Sequence, residues 1–68
     1  MAITSTEFIM RFVDLREANP DWRDGQVAFN TAHELMPDAA RKLAGTDLDP
    51  FHDDTKINDF IEAVLAAQ

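Results

Sequence analysis

Cysteine and tyrosine are absent from this 68-residue chain, and basic residues are scarce. Without cysteine there can be no disulfide framework, thiolate zinc site or thiol nucleophile. Six Lys and Arg stand against thirteen Asp and Glu, which gives a net charge of −7. Because nucleic-acid binders neutralise phosphates with Lys and Arg, direct nucleic-acid binding is not expected. An acidic surface of this kind favours a basic protein partner instead.

Long apolar runs and glycine-rich loops are also missing. Runs such as Val64–Ala67 are far shorter than the about 20 residues of a membrane-spanning helix. Polar residues directly follow Met1–Ala2–Ile3, unlike the apolar stretch of a signal peptide, so we expect a cytoplasmic protein without membrane association. No nucleophile–base pair, cofactor site or metal site can be named, and we expect no enzymatic activity.

What the sequence does contain is apolar residues at helical spacing along a chain long enough for a single domain, residues 1–68. No segment alternates with the period of two that a strand requires. The pattern predicts an all-α fold, a compact bundle of four helices of which the third is short. The expected helices cover about 5–18, 20–36, 38–44 and 55–66.

Local signals set these predicted boundaries. Thr4 and Glu7 have the spacing of a capping box, and Asn19–Pro20 has the form of an N-cap followed by the first helical residue. Gly45 is placed to terminate the third helix, and Asp54 or Thr55 to cap the fourth. The first helix is expected to bury one stripe, made of Phe8, Phe12 and Leu15 with Ile9 and Val13 alongside.

The second helix is expected to carry Trp22, Phe29 and Met36 on one face, with Trp22 in the core; the alternative is an exposed Trp22 that belongs to a partner interface. Gly25 inside this helix costs about 1 kcal/mol relative to Ala. It either marks a break near Asp24–Gly25 or allows another helix to approach closely, and we favour the close approach. In the loop that follows the third helix, Leu48 and Phe51 are expected to contact the core.

Two site patterns are incomplete in this chain. The segment from His33 to Pro37 begins like the zinc pattern H-E-x-x-H, but Pro37 replaces the second His. The loop Asp47–Asp54 resembles a calcium loop, but His52 stands where glycine is required. Weak divalent-cation binding by this loop remains an alternative.

Two sets of polar residues are candidate partner-binding sites. One follows the second helix, where Gln26, Asn30 and His33 form a row next to Trp22 and Arg23; the alternative is an ordinary row at the border of the core. The other is acidic, and exchange of its members for Asn is expected to leave the fold intact. It consists of Asp47, Asp49, Asp53 and Asp54.

The segments Asn19–Gln26 and Asp49–Asp54 together resemble a family of small uncharacterised bacterial and phage proteins. That family combines N-P-x-W-R-x-G-Q with D-P-F-x-D-D and tends to have aromatic residues where Asp24 and His52 stand here. The resemblance implies a compact helical fold, a mobile-element setting and no known activity.

The sequence as a whole therefore predicts a non-enzymatic protein-interaction module. Its partner-binding surface is expected in the acidic C-terminal half and the second helix. Homo-oligomerisation through apolar helix faces is a second route to the same class. A small helix-turn-helix-like DNA-binding domain is a further alternative, because the predicted helices are short and closely joined.

Overall fold

A computed structural model describes residues 2–51 and 53–68 of the chain. His52, which was considered as a position of the calcium-like loop and of the family pattern, lies outside the described residues. The described residues form four α-helices and one short 3-10 turn, with no β-strand among them. The all-α prediction with a short third helix is thus confirmed. The helices are α1 (Ser5–Ala18), α2 (Asp24–Leu35), α3 (Pro37–Leu43) and α4 (Ile57–Ala67), and the 3-10 turn Asp54–Lys56 leads directly into α4.

Helix α1 begins and ends where local signals predicted. The Thr4 hydroxyl accepts the Glu7 N–H at 3.2 Å, and the Glu7 carboxylate accepts the Thr4 N–H at 3.3 Å, which completes the capping box. At the other end, the Asn19 backbone N–H donates to the Leu15 carbonyl at 3.0 Å. Two of the donors that a helix start leaves free are therefore satisfied within four residues of sequence.

The predicted start of α2 at about residue 20 is wrong, because Pro20 lies in a turn. The Trp22 N–H donates to the Asn19 carbonyl at 3.0 Å, which places Pro20 at the second position of a β-turn, where its fixed φ is equally favourable. Helix α2 then begins at Asp24. The break near Asp24–Gly25 is confirmed by this boundary, and the close approach at Gly25 is made by the loop at Pro50 rather than by the predicted helix.

Helices α2 and α3 are joined by a single residue, Met36. Its N–H donates to Ala32 at 2.7 Å and its carbonyl accepts the Ala40 N–H at 2.9 Å. Pro37 occupies the first turn of α3, and Gly45 has the left-handed φ of 76° that a helix terminator needs. Helix α3 lies one residue earlier at each end than predicted.

The cap predicted for the last helix is wrong in detail. The Asp53 carboxylate accepts the Thr55 N–H at 3.0 Å and so caps the 3-10 turn. Asp54 points elsewhere, toward α2. In the loop before this turn, Phe51 packs edge-on against Phe29 at 5.9 Å, as expected, while Pro50 is the residue that is fully buried.

The core is built from large residues of α1 and α4 packed against small residues of α2 and α3. Phe8 and Phe60 are fully buried, and alanines on α2 and α3 leave room for their rings. Thr31, the one buried polar residue described, donates its hydroxyl to the Val27 carbonyl at 2.7 Å and so remains satisfied. The core cluster comprises Phe8, Ala28, Ala32, Met36, Ala39, Ala40, Phe60 and Val64.

The predicted stripe of α1 is only partly buried. Phe8 enters the core and Phe12 packs at its edge, but Ile9 and Val13 are 49% and 44% exposed. The reason is that α1 packs chiefly against α2, whereas α2 also contacts α3, α4 and the 3-10 turn. Helical periodicity identified the apolar residues of α1 without showing that the side with Ile9 and Val13 is left exposed by the described part of the chain.

Candidate functional site

The acidic loop predicted as a partner-binding surface uses most of its carboxylates within the fold. Asp49 accepts the Gly45 N–H at 2.8 Å and the Phe51 N–H at 2.9 Å. Asp53 accepts both the N–H and the hydroxyl of Thr55, at 3.0 and 2.6 Å. These bonds lower the pKa of Asp53. Asp47 is exposed and makes no such bond among the described residues.

Asp54 stabilises the beginning of a distant helix. Its carboxylate accepts the Gly25 N–H at 2.9 Å, although the two residues are 29 positions apart. The N-cap residue of α2, Arg23, provides no side-chain cap, so a carboxylate from the loop takes that place and also faces the positive end of the helix dipole. The Arg23 guanidinium lies 3.8 Å from the same carboxylate.

Gly25 permits this junction because it has no side chain. A Cβ atom built there would lie 1.9 Å from the Pro50 carbonyl oxygen and 2.8 Å from the Asp54 carboxylate. The glycine of the segment Asn19–Gln26 and the Pro and Asp of the segment Asp49–Asp54 are thus in direct contact. The two segments that carry the family resemblance therefore pack against each other.

The predicted polar row lies on the solvent side of α2. Gln26 and Asn30 are half-buried and His33 is exposed. The Asn30 amide donates to the Gln26 carbonyl at 2.9 Å, and the His33 ring stacks on Phe29 with centroids 6.4 Å apart. No hydrogen bond joins the side chain of Gln26 or His33 to another described residue. Both side chains can therefore form hydrogen bonds with a group outside this chain.

The incomplete zinc pattern has a different explanation in the structure. Glu34 forms a bidentate ion pair with Arg11 of α1, in which the Arg11 Nε and Nη2 atoms donate to the two Glu34 carboxylate oxygens at 2.5 and 2.7 Å. The hydrogen bond from Arg11 lowers the pKa of Glu34 and raises that of Arg11. This pair joins α1 to α2. Within the described part of the chain, no group of His, Asp and Glu residues is arranged to hold a metal ion.

Trp22 is half-buried and lines a surface groove rather than the core centre. The groove encloses about 420 Å³ between α1 and the turn that follows it, and its walls include Val13, Glu17 and Pro20. On its rim, Arg16 and Asp24 form an ion pair at 3.3 Å. The expectation that Trp22 is a core residue is therefore met only in part.

An apolar surface strip next to this groove was not recognised from the sequence. It consists of Ile9, Met10 and Val13 on α1, which are 49%, 65% and 44% exposed. Val13 lies four residues after Ile9 and three after Met10, and residues at these two spacings are neighbours on a helix surface. The sequence signal was Met10, whose apolar side chain falls outside the arc of Phe8, Phe12 and Leu15 and so widens the apolar face of α1.

A second cavity of about 420 Å³ lies where the two ends of the described chain meet, beside the connection between α2 and α3. The Gln68 side-chain amide donates to the Ile3 carbonyl at 2.7 Å and accepts the Ile3 N–H at 2.6 Å. The cavity walls combine apolar residues such as Leu35 and Met36 with the charged Asp38 and Lys42. These hydrogen bonds join the segment before α1 to the last residue of the described chain.

The charge that remains after internal pairing is strongly negative. All four arginines form ion pairs with carboxylates, and Lys42 and Lys56 form none among the described residues. Many carboxylates of the described chain have no ion-pair partner. They are Glu7, Asp14, Glu17, Asp21, Asp47, Asp49, Asp53, Asp59 and Glu62.

Comparison with models of protein families, with curated proteins and with solved structures finds no match. The resemblance to small bacterial and phage proteins thus remains a prediction. None of the helices in the described chain has the length and apolar character needed to cross a bilayer.

Proposed function

We propose that this protein is a non-enzymatic, acidic interaction module that binds a basic protein partner in the cytoplasm. The observation that carries the proposal is the uneven use of charge: folding engages every arginine in an ion pair, whereas many carboxylates have no ion-pair partner among the described residues. Such a surface attracts cationic partners over several ångströms and accelerates their association. The resemblance adds a phage or mobile-element setting to the proposal.

Within the C-terminal half, the carboxylates available for this role are those not bonded to the backbone. Asp47, Asp59 and Glu62 are exposed and have no hydrogen-bond or ion-pair partner among the described residues. The polar row of α2 offers Gln26 and His33 as additional hydrogen-bonding groups. The binding surface proposed from the sequence, in the C-terminal half and the second helix, therefore consists of these five residues.

The geometry gives less support to the alternatives. A helix-turn-helix unit uses a turn of three to four residues, whereas α2 and α3 are joined by Met36 alone. For cation binding, the described residues include no group of His, Asp and Glu placed to hold a metal ion, and Asp49, Asp53 and Asp54 accept N–H donors within the fold. The shifted carboxyl pKa values have local causes, in Arg11 for Glu34 and in Thr55 for Asp53, and neither is raised as in a general acid.

The test is capture from a native-host lysate at low and high salt, with quantitative mass spectrometry. Wild-type protein is compared with a variant that combines Asp47→Asn, Asp59→Asn and Glu62→Gln, which removes charge without removing a backbone cap. A second variant, with the same change in net charge on the other side of the chain, combines Asp14→Asn, Glu17→Gln and Asp21→Asn.

A basic protein captured at low salt, released by high salt and lost from one of the two variants supports the proposal. Loss from the first variant places the binding surface in the C-terminal half, and loss from the second places it beside α1. The proposal fails if wild-type protein captures no basic protein, or if both variants capture it as well as wild type does.

A further inference from the structure

The apolar strip on α1 and the groove beside Trp22 form one continuous surface. Val13 belongs to both, since it is one of the strip residues and a wall of the groove. Contiguous apolar patches larger than about a few hundred Å² are rare on monomeric proteins, and when present they often mark binding sites. Met10 is the most exposed large apolar residue described, at 65%.

Free carboxylates follow the strip at helical spacing. Asp14 lies one turn after Met10, and Glu17 lies one turn after Val13, so each carboxylate is next to an exposed apolar side chain. Neither acid has an ion-pair partner among the described residues. Among the described residues, the cation on the groove wall is Arg16, which is paired with Asp24.

This combination indicates which occupant fits. A second copy of the chain would bring another −7 charge and another row of carboxylates to the same contact, which like-charge repulsion opposes. An amphipathic helix with apolar residues on one face and Lys or Arg along its borders matches both features. Such a helix would place its apolar face on the strip and its cations beside Asp14 and Glu17.

We propose that the α1 strip and the Trp22 groove form the docking site for a basic amphipathic helix of a partner protein. The inference rests on the proposed function, because it assumes a basic protein partner. It goes further by moving the binding surface from the acidic loop to α1 and by specifying the structure of the bound segment.

The experiment titrates the full chain with a peptide of about 14 residues made only of Leu and Lys, with Leu at helical spacing on one face. A peptide of the same composition in scrambled order is the matched control. Trp22 is the only tryptophan, so its fluorescence reports on the groove. Backbone amide NMR spectra map the binding site over the whole chain.

We expect the amphipathic peptide to bind with Kd of about 10–100 μM, a range suited to a small interface. Binding should shift Trp22 emission to the blue and perturb the amides of residues 9–17. The double variant Met10→Gln and Val13→Gln should bind at least about tenfold more weakly and keep its circular dichroism spectrum, because both side chains are exposed.

Three results would overturn the inference. The first is equal affinity for the ordered and the scrambled peptide, and the second is a perturbation map centred on residues 47–62. The third is a wild-type dimer in sedimentation that the double variant dissociates, since a second copy would then occupy the strip. The lysate capture experiment reports on the proposed function separately, so a basic partner captured there could still bind elsewhere on the chain.

Discussion

Replacing Gly25 with Ala separates what helix propensity predicts from what the structure predicts. Ala is favoured over Gly in a helix by about 1 kcal/mol, so propensity alone predicts stabilisation. In the structure the added methyl would lie 1.9 Å from the Pro50 carbonyl oxygen. Pro50 is fully buried, and its backbone cannot move away without exposing the loop. The structure therefore predicts destabilisation.

The magnitude follows from three contributions. Overpacking of this kind costs about 1–3 kcal/mol, and loss of the bond between the Gly25 N–H and the Asp54 carboxylate costs about 1.5–3 kcal/mol. Because Asp54 is about half exposed, the lower end of the second range applies. After the gain in propensity, we expect Gly25→Ala to lower the free energy of unfolding by about 2–3 kcal/mol, much of the total for a domain of this size.

Urea denaturation followed by circular dichroism and Trp22 fluorescence provides the measurement. Gly45→Ala is the control, because Gly45 has open space around it and only its left-handed φ of 76° opposes the change, at about 1 kcal/mol. We expect the urea midpoint of Gly25→Ala to lie below that of Gly45→Ala. A midpoint of Gly25→Ala equal to or above that of the wild type would refute the proposed contact between α2 and the loop.

Three further changes test other parts of the structure. Phe60→Ala should cost about 3–5 kcal/mol, measured by urea denaturation, and a variant as stable as wild type would contradict the core assignment. Asp54→Ala should lower the melting temperature more than Asp47→Ala, because only Asp54 caps a helix; equal melting temperatures would contradict that role. Arg11→Gln should raise the pKa of Glu34 toward its ordinary value in an NMR titration. Because folding lowers the pKa of Glu34, the ion pair stabilises the protein at pH values above the ordinary carboxyl pKa. This stabilisation is lost as the pH falls through the pKa that Glu34 has in the folded protein. An unchanged Glu34 pKa in the Arg11→Gln variant would exclude the stabilising effect of the pair.

Features that depend on neighbouring residues could be predicted from the sequence. The capping box of Thr4 and Glu7 fixes the start of α1 with groups only three positions apart. Pro37 and Gly45 likewise bracket α3 to within one residue. Such signals are local hydrogen bonds or fixed φ angles, and they do not require knowledge of what the helix packs against.

Features that depend on distant residues could not be predicted in this way. Asn19–Pro20 suits both a helix start and a turn, and the choice depends on where α2 meets the loop, because Gly25 is held by Pro50 and Asp54. Periodicity assigned Ile9 and Val13 to an apolar face but could not show that α1 has a packing partner on one side only. Exposure of the strip is a property of the assembled fold.

The acidic loop shows why a count of charges overstates a binding surface. A carboxylate that accepts a backbone N–H cannot turn to a partner without leaving that donor unsatisfied, at a cost comparable to a lost charged hydrogen bond. Asp49, Asp53 and Asp54 all have such donors. Asn keeps one acceptor oxygen but loses the charge, and Asp49 uses both of its oxygens, so exchange of the whole loop for Asn should weaken the fold, contrary to the expectation from sequence. Asp14 and Glu17 accept no backbone N–H from another described residue, and they lie next to exposed apolar side chains. Charge that is free to act and apolar surface that is free to be buried coincide on α1, and that coincidence favours α1 over the loop as the docking surface.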